Sequence, residues 1–144
     1  CQYYAFYFGT ADRDRYPALY EKLFDKFGPA RKDTYCPRVY RSNMFIGRYL
    51  RLDFLRREGR YAQVLKESVE YFYKMAKETG TLWEHSSPSA SLCHGFASYI
   101  GEIIYDCAVA LSGNNVEICV ETACLGPQRI LFDPAGVQQE IGVE

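Results

Sequence analysis

The chain has 144 residues, enough for one domain with a proper core and too few for two comfortable ones. Its formal net charge of −1 carries neither the electrostatic footprint of a nucleic-acid-binding protein nor that of a protein held to an anionic membrane. Thirteen Tyr, nine Phe and one Trp make 16% of the residues, a payload that suits a bulky core between thick helices or, less often, a groove whose rings stack on sugars.

The opening run Gln2 to Phe8 is apolar and aromatic, with Gly9 as its helix C′ residue. It reads as the middle of an amphipathic helix, with neither an initiating Met nor a basic leader. The expectation is that the chain starts inside a larger protein. Asp12 and Asp14 offer N-caps for a helix over residues 15–27, in which Pro17 is tolerated in the first turn and Gly28-Pro29 closes the end. From Gly28 to Ser42 the chain reads as a long irregular loop rich in Arg and Tyr, of the kind that lies over a cleft.

Asn43 then caps a helix over residues 43–57, with Phe45, Tyr49 and Leu52 on one face. Its polar residues Asp53, Arg56, Arg57 and Glu58 read as a solvated face. Glu58-Gly59 breaks it, and a second helix continues to Glu78 on the stripe Tyr61, Val64, Leu65, Val69, Phe72, Met75 and Ala76. Two helices joined by so short a turn are antiparallel neighbours, an α-hairpin. A second irregular stretch covers Thr79 to Cys93. The helix after it spans residues 95–111 on Phe96, Ile100, Ile103, Ile104, Cys107, Ala108 and Leu111.

The tail changes period. Val116, Ile118 and Val120 alternate with Glu117, Cys119 and Glu121, a strand signal; Gly126-Pro127 turns the chain and Ile130-Leu131-Phe132 begins another strand. Residues 114–144 therefore read as the start of a C-terminal β domain behind a mainly helical body. No run of about 18 apolar residues is present, so no membrane span is expected. The six cysteines have no C-x-x-C spacing and only two histidines accompany them, which supports neither a zinc site nor any other metal. Free, mostly buried thiols fit better than a disulfide framework. There is no Gly-rich phosphate loop, dinucleotide fingerprint or Gly-x-Ser-x-Gly elbow, so no cofactor is expected.

Chemistry concentrates in Thr81-Leu82-Trp83-Glu84-His85, within a Gly/Ser/Pro-rich loop between two amphipathic helices. A carboxylate beside a large ring can be partly desolvated, which suits Glu84 to acid/base work. Trp83 is a platform for the apolar face of a pyranose. The residues leave a second reading open: Trp83 plugs the end of the helical layer while Glu84 caps the next turn. His94 likewise either bonds nearby loop backbone or contacts a substrate hydroxyl, since neutral imidazole offers one donor and one acceptor.

Three passages resemble the end of the catalytic domain of bacterial α-L-rhamnosidases, glycoside hydrolase family 78. Gln2 to Gly9 resembles the family's inner helix that begins with Gln and runs into Ala and aromatics. Gly80-Thr81-Leu82-Trp83-Glu84-His85 is similar to its Thr-x-Trp-Glu loop, and Ser91-Leu92-Cys93-His94-Gly95-Phe96 to its Ser-x-Asn-His segment. Cys93 stands where the family has Asn, and Tyr35 to Met44 does not match its Thr-Gly-Phe passage. The resemblance implies that residues 1–113 are the last helical hairpins of an (α/α)6 six-hairpin barrel. It implies inverting hydrolysis of a terminal rhamnoside or related glycoside, with Glu84 as general base and Trp83, His85 and His94 around the sugar. Inverting enzymes use two carboxyl groups about 6.5–9.5 Å apart; the acid of the pair lies outside this chain, in the remainder of a bacterial parent polypeptide, so the isolated chain is expected to be inactive. Periplasmic or secreted location is left open. The competing readings are another helical-barrel carbohydrate enzyme and a non-catalytic helical-hairpin module that binds a partner.

Overall fold

The computed structural model describes residues 2–29, 36–37, 45–112, 116–122 and 126–132. The fold is mainly helical: α1 (Gln2–Tyr7), α2 (Pro17–Asp25), α3 (Phe45–Arg57), α4 (Tyr61–Thr79) and, after a 3-10 turn at Gly95–Ser98, α5 (Tyr99–Ser112). A hairpin of β1 (Val116–Thr122) and β2 (Gly126–Phe132) follows. The Asn43 cap and most of the Gly28–Ser42 loop lie outside the described residues.

Glycine ends α3 where the sequence places the break. Gly59 adopts φ +70°, Arg60 N–H donates to the Leu55 carbonyl at 2.9 Å and Gly59 N–H to that of Arg56 at 3.0 Å. This is the two-bond Schellman closure, and it needs the left-handed residue that glycine supplies without strain. The chain reverses, and α3 and α4 pack antiparallel: Tyr49 meets Phe72 at 5.7 Å between ring centroids, and Arg51 meets Glu67.

Direction within the other pairs follows from the same kind of contact. Tyr49 touches Phe96 and the Ala97 carbonyl, while Arg56 reaches Glu102 and Asp106, so α3 and α5 run the same way. Tyr3 sits against Arg51 and Phe54, and Tyr7 against Asp53 and Arg57, which sets α1 parallel to α3. On the other side Tyr3 donates to the Leu23 carbonyl and Phe6 lies against Tyr20, so α2 is antiparallel to α1. One layer of parallel helices, α1, α3 and α5, thus packs on α2 and α4 running the opposite way.

The core lies between these layers, with Leu23, Leu52, Leu55, Val64 and Ile103 wholly buried, each contributing about 1.5–3 kcal/mol relative to exposure. Much of the aromatic content is core as well: Tyr20, Phe24 and Phe54 meet at 5.3–5.7 Å.

Several expectations need correction. Asp12 does not cap α2; its carboxylate accepts the Arg15 N–H at 2.7 Å and closes a preceding turn, so the helix begins at Pro17 and ends at Asp25. Val69 is 61% exposed, because the buried face of α4 runs through Val64, Glu67, Ser68, Phe72 and Met75, with Ser68 bonding back to the Val64 carbonyl. β2 begins at Gly126 rather than Ile130, with Pro127 opposite Glu121, a position tolerable in a two-stranded ribbon where every strand is an edge. Most consequential is Asp53. It is buried, not part of a solvated face, because α3 has neighbours on both sides.

Candidate functional site

The loop after α4 is built as a closed finger. Gly80, at φ +70°, lets the chain leave the helix. Residues 81–84 then run antiparallel to residues 91–94: His94 N–H donates to the Leu82 carbonyl at 3.0 Å, Glu84 N–H to the Ser91 carbonyl at 2.9 Å, and the Thr81 hydroxyl to the Leu92 carbonyl. Glu84 and His94, ten positions apart, are thereby brought onto adjacent paired segments just ahead of α5. Both are half-buried, as is His85, whose Nδ1 is buried and finds no hydrogen-bond partner among the described residues.

Trp83 is 1% exposed. Its indole N–H donates to the Thr79 hydroxyl at 2.8 Å, its backbone N–H points at the Met75 sulfur, and the Lys74 ammonium lies 5.9 Å from the ring centroid. A ring enclosed to this degree has no free face for a sugar. This corrects the expectation of Trp83 as a stacking platform: the ring anchors the loop that carries Glu84.

A second feature was missed by sequence reasoning. A cavity of about 260 Å³ opens on the α1–α3–α5 layer, lined by Tyr7, Ile46, Tyr49, Asp53, Phe96 and Tyr99. It adjoins the loop in sequence, since Phe96 is two residues beyond His94. Asp53 is held by two hydrogen bonds and two further ion-pair contacts. The Tyr7 hydroxyl donates at 2.5 Å and Arg57 Nη2 lies at 3.1 Å on one carboxylate oxygen; Arg56 supplies Nε at 2.9 Å and Nη2 at 2.6 Å to the other. Arg57 also donates to the Tyr7 oxygen at 2.7 Å, and Arg56 reaches across to Asp106. The available signal was an acidic residue set among Leu50, Leu52, Phe54 and Leu55, with arginines three and four positions on.

Burial raises the Tyr7 phenol above its ordinary range, and the bond to Asp53 with its charge adds to this. Burial likewise raises Tyr49 and Tyr99. All three remain protonated across the physiological range, so they present hydroxyls rather than phenolates.

Among the described residues no group of three or more His, Cys, Asp or Glu is placed to hold a metal ion, and no helix is long and apolar enough to cross a membrane. Cys36, Cys93 and Cys107 are free thiols, and burial pushes that of Cys107 up to about 11. No family model, curated protein or solved structure matches the chain.

Proposed function

We propose that the chain is the C-terminal part of the catalytic domain of a helical-barrel glycoside hydrolase, similar to the α-L-rhamnosidases, in which Glu84 is the general base. The observation that carries the reading is the pairing of residues 81–84 with 91–94, which puts Glu84 opposite Ser91 and His94 opposite Leu82 on adjacent segments ahead of α5. The layering adds support. Parallel α1, α3 and α5 with α2 and α4 reversed is the alternation that successive hairpins of an (α/α)6 barrel require.

In this reading Glu84 takes a proton from water as that water attacks the anomeric carbon opposite the leaving aglycone. An acid elsewhere in the parent polypeptide protonates the glycosidic oxygen, and the sugar leaves with inverted configuration. His94 and His85 contact sugar hydroxyls. Trp83 takes part only by holding the loop.

In the parent polypeptide, Glu84→Gln is expected to lower hydrolysis of an aryl α-L-rhamnoside by about 10²- to 10⁴-fold, with the melting transition unchanged. The 144-residue chain alone is expected to show no turnover. Turnover by the chain alone, or full activity in the Glu84→Gln parent, overturns the reading. A non-catalytic module that binds a partner is favoured instead by Val69 and Tyr73, one turn apart on α4 and 61% and 62% exposed. Under that reading Glu84→Gln changes no activity, whereas Tyr73→Glu abolishes partner binding.

A further inference from the structure

The cavity on the α1–α3–α5 layer is separate from the Glu84 loop and has its own chemistry. Its size, about 260 Å³, falls just under the ~300 Å³ at which pockets for drug-sized ligands begin, so it suits a ligand of about one ring. Phe96 and Ile46, 52% and 50% exposed, stand on its wall with Tyr7, Tyr49 and Tyr99, offering flat apolar surface. The Tyr7 hydroxyl donates to Asp53 and that of Tyr49 to the Ala97 carbonyl, so Tyr99 is the lining phenol that turns its hydroxyl to a ligand. A ring with one apolar face and a hydroxylated edge matches that combination.

The charge pattern narrows the ligand further. Asp53 accepts hydrogen bonds from the Tyr7 hydroxyl and Arg56 Nε, and Arg56 Nη2 and Arg57 Nη2 lie within ion-pair distance of its two oxygens. Two guanidinium groups within 3.1 Å therefore offset the charge of Asp53. A cationic ligand meets a carboxylate already matched by cations. An anionic ligand meets Asp53 and, among the described residues of the lining, no Lys or Arg. Only a neutral ring enters without leaving a charge desolvated and unpaired.

We propose that this cavity seats one neutral pyranose ring and disfavours its uronate and amino-sugar counterparts. The proposal rests on the carbohydrate reading for the class of ligand, and on the cavity alone for its place and charge preference. Asp53 and Arg57 act as positioning residues that hold the Tyr7 ring against the wall, while Tyr7, Tyr49, Phe96 and Tyr99 contact the sugar.

The test titrates the 144-residue chain, followed by ligand-observed NMR, with four probes: methyl α-L-rhamnopyranoside, methyl α-D-glucopyranoside, methyl α-D-glucuronoside and methyl α-D-glucosaminide. Saturable binding of at least one neutral glycoside is expected, with the charged pair binding about tenfold more weakly or worse, the order of one unpaired buried charge or hydrogen bond. Phe96→Ala is expected to weaken the neutral glycoside about tenfold, as loss of one stacking ring does. Ile46→Ala, also half-exposed, serves as the second variant should Phe96→Ala lose its helical circular dichroism. The proposal is overturned by no saturable binding of either neutral glycoside, by equal binding of the charged probes, or by binding unchanged in the folded variants. It is overturned equally by a chain dimer in sedimentation that Phe96→Ala dissociates, since a second copy then fills the cavity. Glu84→Gln separates the two readings: it is expected to leave probe binding intact even where it abolishes hydrolysis in the parent, and binding without Glu84-dependent hydrolysis removes the general base while keeping the cavity.

Discussion

Arg51 and Asp53 stand two residues apart on α3, on opposite sides of the helix, and both are essentially fully buried. Arg51 faces the second layer. It grips Glu67 of α4 with two bonds of 2.6 Å, donates to the Leu23 and Phe24 carbonyls of α2 at 2.6 and 2.7 Å, and bonds the Tyr3 hydroxyl of α1. Even Gly28 closes in, since a Cβ there would stand 2.9 Å from Nη2. Asp53 faces the other way, toward α1 and α5, and lines a cavity together with its partner Tyr7. One polar group seals the packing between layers; the other stiffens the wall of an open site. Both satisfy the rule that a buried charge is paired, and only the surroundings tell a structural node from one at a site.

The contrast can be broken at several points. The largest effect is expected at the seal: Arg51→Ala leaves the buried Glu67 charge without its cation, with only the neutral Gln63 amide still donating to it, and should cost about 3–5 kcal/mol, read as a lower urea midpoint at unchanged slope. The double change Arg51→Met with Glu67→Leu should recover much of that loss, because no uncompensated charge then remains. Failure of the double variant to recover would show that the carbonyl contacts to α2, rather than the ion pair, dominate the node. Asp53→Asn should cost less, about 1–3 kcal/mol, since Arg57 is largely exposed and Arg56 keeps Asp106. Equal losses at the two positions would erase the distinction between seal and cavity wall.

The smallest effect is a pH slope. Burial, opposed by Arg51, pushes the Tyr3 phenol up to about 12 from an ordinary 10.0. Between those values the unfolded chain loses this proton while the folded protein keeps it, so stability present below pH 10 falls as pH rises toward 12. Tyr3→Phe should flatten part of that decline in urea melts across the same window, while lowering stability by about 1 kcal/mol at neutral pH for the lost hydrogen bonds. An unchanged slope would remove Tyr3 from the alkaline linkage.

Local chemistry made much of the helical body legible. Gly9, Gly59 and Gly80 all take positive φ at helix ends, and the short turn at Gly59 implied the antiparallel α3–α4 pair before any contact was known. The loop was legible as a place where Trp, Glu and His cluster, but not as a paired finger, because the bonds joining residues 81–84 to 91–94 are backbone bonds that carry no residue signature. From its residue neighbours Trp83 reads first as a plug and second as a platform, and the family resemblance is what favours the platform. Its burial depends on Thr79 and Met75 of the preceding helix, which periodicity alone does not bring beneath it.

What the sequence determined by itself was local: where helices end, which short turn reverses the chain, where the period changes from helical to alternating. These follow from backbone sterics and nearest-neighbour spacing, which act over a few residues. Tertiary structure alone decided which polar residues are buried. Val69 and Asp53 show why: an apolar residue on the expected stripe lies outside, and an acidic residue expected in water lies inside. The helix that surrounds α3 on each side comes from a distant part of the chain, and burial is set by what packs against a residue rather than by what it is.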